Sequence, residues 1–348
     1  LGMILGGLPF LQLDRTGIAL LGAIALIGAG ALSLEEAWRA VHVPTLILLF
    51  AFMVVSAQLR MGGFYTWVTH KTGHLPLSPP KLLAALVAIV AGLSAVFSND
   101  VVCLAMAPVL IDVCRARRLD PIPFLLALAC SANVGSALTL IGNPQNMLIG
   151  GKLNLSFSGY LLDAAIPVLL GLFVVWALIA WRSRGSWALA AEEAATDAVP
   201  AHREPSPRVD GWQTAKGLSV ATALFVLFLA APVPREVIAL TAAGVLMMSR
   251  RLHSRKMLGL VDWQLLVLFI GLFVVNHALE KTGLSGEFVG RMAVLGVDLH
   301  QPLPLFVTSF ILSNIVSNVP AVMLLLPLAT HELAGPLLAL ASTLAGNL

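Results

Sequence analysis

Charge is scarce in this chain. Asp, Glu, Lys and Arg make up 11% of its 348 residues against 58% apolar side chains, and the mean hydropathy is +0.91. A soluble globular domain carries about twice that charged fraction. That class is excluded, and the chain reads as an all-α integral membrane protein. Cysteine is scarce too. Cys103, Cys114 and Cys130 fall within or at the ends of apolar runs with no metal-type spacing, so they read as small buried hydrophobes rather than a disulfide framework. The motifs of nucleotide and nucleophilic catalysis are missing: no phosphate loop, nucleotide fingerprint or nucleophile elbow occurs. His331-Glu332 opens like a zinc-protease helix, but the residue four after His331 is Gly335 and no second His follows. No enzyme, no resident metal or cofactor and no nucleic-acid partner are expected.

What the chain does contain is a succession of apolar stretches, most of them near the 20 or so residues that cross a bilayer as a helix. Read coarsely, they are 1 to 12, 16 to 32, 44 to 60, 122 to 150, 157 to 181, 217 to 232, 235 to 250, 262 to 280 and 335 to 348. This is the pattern of a multi-pass protein of the cell or inner membrane, with the lipid bilayer as its solvent. The chain starts on Leu1 and stops on Leu348 inside an apolar run, so residues are expected beyond both ends.

The sequence repeats itself. Sliding it by 220 residues brings Arg15 to Leu20 onto Arg235 to Leu240, Val54 to Leu59 onto Val274 to Leu279, and Gly63 onto Gly283. Asn99 meets Asn318 and Pro108 meets Pro327 at an offset of 219. A near-constant offset that includes the polar breaks points to duplication. The first copy is expected over residues 1 to 181 and the second over 217 to 348. Residues 182 to 216, with Glu192-Glu193, Pro200 and Glu204-Pro205-Ser206-Pro207, read as a cytoplasmic linker.

Two apolar runs are too long for one crossing. Leu82 to Cys114 is 33 residues, which as one helix would span about 50 Å. It should fold back on itself with Ser98-Asn99-Asp100 at the tip. Pro302 to Thr330 has the same design, with Ser317-Asn318-Val319 at its tip and Pro320 suited to the first turn of the descending helix. Cytoplasmic loops collect Lys and Arg. With the first hairpin entering from the cytoplasm and the second from outside, all 21 Lys and Arg fall on the cytoplasmic side except Arg39, Lys152, Arg235, Lys281 and Arg291. A plain crossing over 82 to 114 would separate Lys81 from Arg115 and strand a basic cluster outside. The expected fold is therefore an inverted structural repeat with re-entrant helical hairpins (82 to 114 and 302 to 330) and broken transmembrane helices. Secondary transporters use that plan, placing their site near the bilayer midplane.

Several residues in these breaks are candidates for binding substrate or ion. Asp100 is a carboxylate in the middle of an apolar run, able to carry a proton or bind a cation if burial raises its pKa. Ser98, Asn99 and Asp100 also suit the cap of a helix starting at Val101. Gly142-Asn143-Pro144-Gln145-Asn146 interrupts the span 122 to 150 with helix breakers and three amides, although an extracellular turn looks similar. Asn133 either faces the same cavity or packs between helices beside Gly135 and Ser136. His277 is either a proton relay or a hydrogen-bonded packing residue.

Phe97-Ser98-Asn99-Asp100, Ile141 to Asn146 and Ser317-Asn318-Val319-Pro320 resemble motifs of the ion transporter superfamily. That superfamily includes citrate-transporter-like permeases, arsenite permeases, D-type sodium/proton antiporters and divalent anion/sodium symporters, and the likeness covers nearly the whole chain. In the symporter branch both tips read Ser-Asn-Thr and help bind a carboxylate and sodium. Here the third positions are Asp100 and Val319, and a fixed negative charge beside a dianion is repulsive. The Asn-Asp tip is similar to that of the arsenite permease branch. The resemblance implies a secondary active transporter of a small oxyanion or neutral hydroxide, with Ser98, Asn99, Asp100, Asn133, Gly142, Asn143, Pro144, Asn146, Ser317 and Asn318 around the cargo. It also implies a coupling H+ or Na+ handled by Asp100, Asn99 and Asn143, with Na+ at Asn99 and Asn143, and a homodimer. The interfacial stretch Met61 to Pro76 would support the fold from the membrane surface. Sodium-coupled carboxylate or inorganic anion symport and sodium/proton antiport are the alternatives. A channel is the competing class, distinguished by its currents.

Overall fold

In the computed structural model, residues 13 to 189, 209 to 249, 252 to 294 and 296 to 347 are described. The expected span 1 to 12, most of the linker, and Arg203, Arg208, Arg250 and Arg251 lie outside them. Among the described residues the regular elements are helices, and the chain is an all-α membrane protein. In order the helices are α1 (Arg15–Gly28), α2 (Leu34–Ala40), α3 (Val43–Met61), α4 (Phe64–Gly73), α5 (Pro79–Val96), α6 (Asn99–Ala116), α7 (Pro121–Ser136), α8 (Pro144–Lys152) and α9 (Phe157–Arg182). There follow α10 (Gly211–Ala230), α11 (Arg235–Met247), α12 (Ser254–Leu258), α13 (Trp263–Lys281), α14 (Leu284–Val294), α15 (Pro302–Val316), α16 (Asn318–Leu325) and α17 (Ala334–Ala345). Helices α3, α5, α9, α10 and α13 are long and apolar enough to cross a membrane. Along α9, Leu162, Ile166, Leu169, Leu170, Phe173 and Leu178 all stand exposed, an apolar face suited to the lipid of a bilayer.

The duplication read from the sequence is also a repeat of elements. Helices α1, α2, α3 and α4 start at residues 15, 34, 43 and 64, and α11, α12, α13 and α14 start 220 residues later, at 235, 254, 263 and 284. Between α3 and α4 the chain turns through Gly63 at φ 76°, and between α13 and α14 through Gly283 at φ 74°. A left-handed turn of this kind admits glycine without a Cβ penalty, which is why both copies carry it at the same place. The copies diverge after the tips. Pro108 sits inside α6, which runs on to Ala116. Its counterpart Pro327 sits in a short 3-10 turn (Leu326–Leu328) that ends the second descending arm early.

The chain forms two compact units. One comprises Leu1–Phe50, Pro144–Tyr160 and Val261–Leu348, the other Ala51–Asn143 and Leu161–Leu260. Each unit therefore draws on both sequence copies. A repeat relates residues along the chain and a unit relates them in space, so the two divisions need not coincide.

In the unit built on Ala51–Asn143, the first long run folds back as its length demands. Leu82 and Leu86 near the start of α5 line the same small cavity as Leu110 and Val113 near the end of α6. The base is closed by Arg117, which donates from Nη1 to the Gly73 and Leu75 carbonyls (2.8 and 3.1 Å) and from Nη2 to the Leu77 carbonyl (2.8 Å). Further bonds join loops of this unit: Asp120 N to Trp187 O (3.0 Å), Asp210 N to Gly62 O (3.1 Å), and Lys216 Nζ to Leu246 O (3.1 Å). The loop after α6, which bears Arg117 and Arg118, is thus tied both to the segment between α4 and α5 and to the segment after α9. Hairpin helices α5 and α6 both pack on α7. The α5–α7 contact is close at Gly135, where a Cβ would stand 2.4 Å from the Ala91 Cα.

In the other unit, α1 packs along α13, and both α15 and α16 pack on α17. The second hairpin closes at its base through His300 Nδ1 and Thr330 Oγ1, 3.3 Å apart. Lys281 at the end of α13 donates to Glu36 Oε1 at 2.7 Å, and this bond with those from Ser33 holds the Glu36 carboxyl down at about 2. Some expected boundaries move. The span 16 to 32 shortens to α1, ending at Gly28, and α10 begins at Gly211, inside the expected linker, because Asp210 caps it by accepting from Trp212 N and Gln213 N.

Arg117→Ala removes three bonds to main-chain carbonyls and should lower unfolding stability by about 2 to 4 kcal/mol, with Arg117→Lys intermediate because an ammonium cannot span the fork. Thermal unfolding in detergent measures it. Gly135→Val should abolish folded protein in fluorescence-detected size exclusion, since the α5 backbone at Ala91 cannot yield as a flexible side chain would.

Candidate functional site

The two tips close differently. In the first, α5 ends at Val96, Phe97 is extended, and Ser98 at φ −55° and ψ 129° precedes α6. Asn99 and Asp100 occupy the first turn of α6. Asn99 Oδ1 is buried without a hydrogen-bond partner, whereas the Asp100 side chain is exposed in the chain. A carboxylate at that position complements the positive end of the helix. The second tip places Ser317 at φ 86° and ψ 157°, followed by Asn318 as the first residue of α16. Ser94 and Ser313 stand one turn before the respective tips, both buried with hydroxyls that lack a partner.

The break in span 122 to 150 is real: α7 ends at Ser136 and α8 begins at Pro144. Residues 139 to 149 are buried throughout, so this is an interior break and not an exposed turn. Its first part belongs with the first hairpin. Thr139 Oγ1 donates to the Ala95 carbonyl, one of those left open by the end of α5. Asn143 Nδ2 donates to Ser136 Oγ at 3.0 Å, and Ser136 Oγ donates to the Asn133 carbonyl at 2.7 Å. Its second part belongs with the second hairpin, because α8 packs against α16 and α17. Gln145 Nε2 donates to Thr343 Oγ1 at 3.3 Å, and Asn146 Nδ2 donates to Tyr160 Oη at 3.0 Å. The chain passes from one unit to the other at the Asn143–Pro144 peptide bond, in the middle of the motif.

The structure therefore brings Ser98, Asn99, Asp100, Asn133, Gly142 and Asn143 into one unit, and Pro144, Asn146, Ser317 and Asn318 into the other. His277 lies half-buried on α13 in the second group, while its neighbour Asn276 donates to Glu280 at 2.9 Å, one turn on. Sequence reasoning named Ser136 only as a packing neighbour of Asn133, and missed Thr139, Tyr160 and Thr343 as partners of the break. Each is a hydroxyl in a mostly apolar segment, and its only signal was that a break in a buried helix must find partners for its amides.

Chemically, the breaks offer neutral donors and acceptors from Asn side chains and freed peptide groups, with one carboxylate at the first tip. Among the described residues no cluster of His, Cys, Asp and Glu could hold a metal ion. The arrangement suits recognition of a small polar solute by hydrogen bonds.

The chain is similar in sequence to known membrane proteins and transporters. The family description "Citrate transporter" matches residues 3–345. A 46 kDa membrane protein of Mycobacterium leprae is 29% identical over 336 residues, covering 93% of this chain and 77% of that protein. The silicon efflux transporter LSI3 of Oryza sativa subsp. japonica is 29% identical over 403 residues, covering 98% and 83%. A putative transporter arsB of Dictyostelium discoideum is 28% identical over 161 residues, covering 46% and 29%.

Tyr160→Phe removes the hydroxyl that receives the Asn146 amide while keeping the ring. It should cost about 1 to 2 kcal/mol in thermal unfolding, and solute flux in liposomes should fall further than that loss of folded protein accounts for.

Proposed function

The chain belongs to the citrate transporter family of membrane transporters, and from that premise we propose that it is a secondary active transporter of a small neutral hydroxide or its oxyanion, of the arsenous or silicic acid kind. A proton or sodium gradient drives the movement by alternating access. The observation that carries this reading is the amide character of the helix breaks: Asn99, Asn143, Asn146 and Asn318 at or beside the interruptions, with Asp100 at one tip. A neutral polyhydroxy solute needs donors and acceptors and no counter-charge. Two relatives support it by name, one a silicon efflux transporter and one a putative transporter arsB. Silicic and arsenous acid are both small, uncharged hydroxides near neutral pH.

In this scheme Asp100 handles the proton. Its position in the first turn of α6 puts the carboxylate beside the amide ends of the tip, so a change in its charge alters the field there. Asn99 and Asn143 supply oxygens for a coupling cation where sodium takes the proton's place. A citrate symport reading has its own support in the family's description. It requires a polyanion to be accepted beside Asp100, which is favourable only when that carboxylate is neutralised.

Purified protein in liposomes, given an imposed pH or sodium gradient, tests this with arsenite, silicic acid, citrate and sodium. Gradient-driven flux of arsenite or silicic acid is expected, and Asp100→Asn should lower it by about tenfold or more and flatten its pH dependence. Flux of citrate alone, or normal flux and pH dependence in Asp100→Asn, would contradict the proposal.

A further inference from the structure

The second tip holds a backbone conformation that its sequence does not favour. Ser317 lies at φ 86° and ψ 157°, a region that costs little only for glycine and persists in other residues where the surroundings over-determine it. Its main chain is committed on both sides: Ser317 N donates to Ser313 O (3.0 Å), and Ser317 O accepts from Ala321 N (3.2 Å). The remaining handle is the side chain, and Arg15 takes it, with Nη1 3.4 Å from Ser317 Oγ. Arg15 is itself fixed at the first position of α1, where Asp14 caps the helix by accepting from Gly17 N at 2.8 Å.

Two comparisons argue that this contact has a purpose. A cation in the first turn of a helix opposes the macrodipole, so local helix energetics do not account for an arginine there. And the matching serine of the first copy, Ser98, has an ordinary backbone at φ −55° and ψ 129°. Strain is therefore not a requirement of a Ser-Asn tip. One copy of the repeat is held in a conformation that the other does not adopt, and difference between copies is what alternating access demands of a repeated architecture.

We propose that Arg15 is a positioning residue for the second hairpin: its guanidinium holds Ser317 in the strained conformation, and letting go of that hydroxyl allows the tip to relax during transport. The purpose rests on the transport reading; the contact and its consequence for the tip do not.

The test is the rate of N-ethylmaleimide labelling of Val319→Cys, two residues past Ser317, in the otherwise full chain with Cys103, Cys114 and Cys130 replaced by Ala, in liposomes without solute or gradient. Arg15→Ala should change the rate by about fivefold or more, the population shift that the low end of such strain implies. Arg15→Lys and Arg15→Gln, which keep an N–H donor, should return it toward the Arg15 value. In Ser317→Gly, where the strain is gone, the rate should no longer depend on Arg15. Should Arg15→Ala give no folded protein, Ser317→Ala breaks the same contact from the other side and is judged identically. A rate within about twofold of the Arg15 chain, a Gln variant indistinguishable from Ala, or persistent Arg15 dependence in Ser317→Gly would each overturn the inference. Because labelling needs no cargo, Arg15-dependent labelling in a chain that carries none of the solutes would sink the transport reading and leave this one standing.

Discussion

A peptide group with no partner costs several kcal/mol in hydrocarbon, and the breaks in this fold are built around that cost. The first hairpin is possible because Arg117 collects the carbonyls of Gly73, Leu75 and Leu77 at its base and Thr139 takes the carbonyl of Ala95 near its tip. The second closes through His300 and Thr330. Once those groups are satisfied, apolar surface such as that of α9 can face lipid, and the helices pack through large buried side chains such as Phe52, Phe124 and Phe269 and through close contacts such as that of Gly135 with Ala91.

The same constraint makes the breaks useful. A helix interrupted inside a protein must supply its own polar partners, and the side chains that do so here are mostly amides and hydroxyls: Asn143 with Ser136, Gln145 with Thr343, Asn146 with Tyr160. Groups that can satisfy a broken helix are also of the kind that hydrogen-bond a hydroxylated solute. The motif 142 to 146 straddles the boundary between the units, with the Asn143–Pro144 peptide bond as the crossing point.

Much of this was legible from residues alone. The fold-back of 82 to 114 came from length against bilayer thickness, and the repeat of elements came from an offset that carried Gly63 onto Gly283 and Asn99 near Asn318. What the sequence could not disclose depended on tertiary context. Nothing in Ser317 announces a positive φ, since serine normally avoids it, and nothing in Arg15 announces a partner 302 positions away. Pro108 and Pro327 align, yet one lies inside a helix and the other in the 3-10 turn that follows one. Asp100 read as a candidate for burial and stands exposed in the chain, because a residue in the first turn of α6 can point away from the packed faces of a hairpin.

The fold-back of the first hairpin carries the rest of the account, and one distance tests it. Spin labels at Lys81→Cys and Arg115→Cys, measured by double electron–electron resonance in lipid, report whether α5 and α6 run antiparallel. A distance below half of the length of a continuous helix between those positions, which is about 50 Å, is the predicted result. A distance near the full length of about 50 Å would mean that the chain runs straight through Ser98, and the account would be wrong.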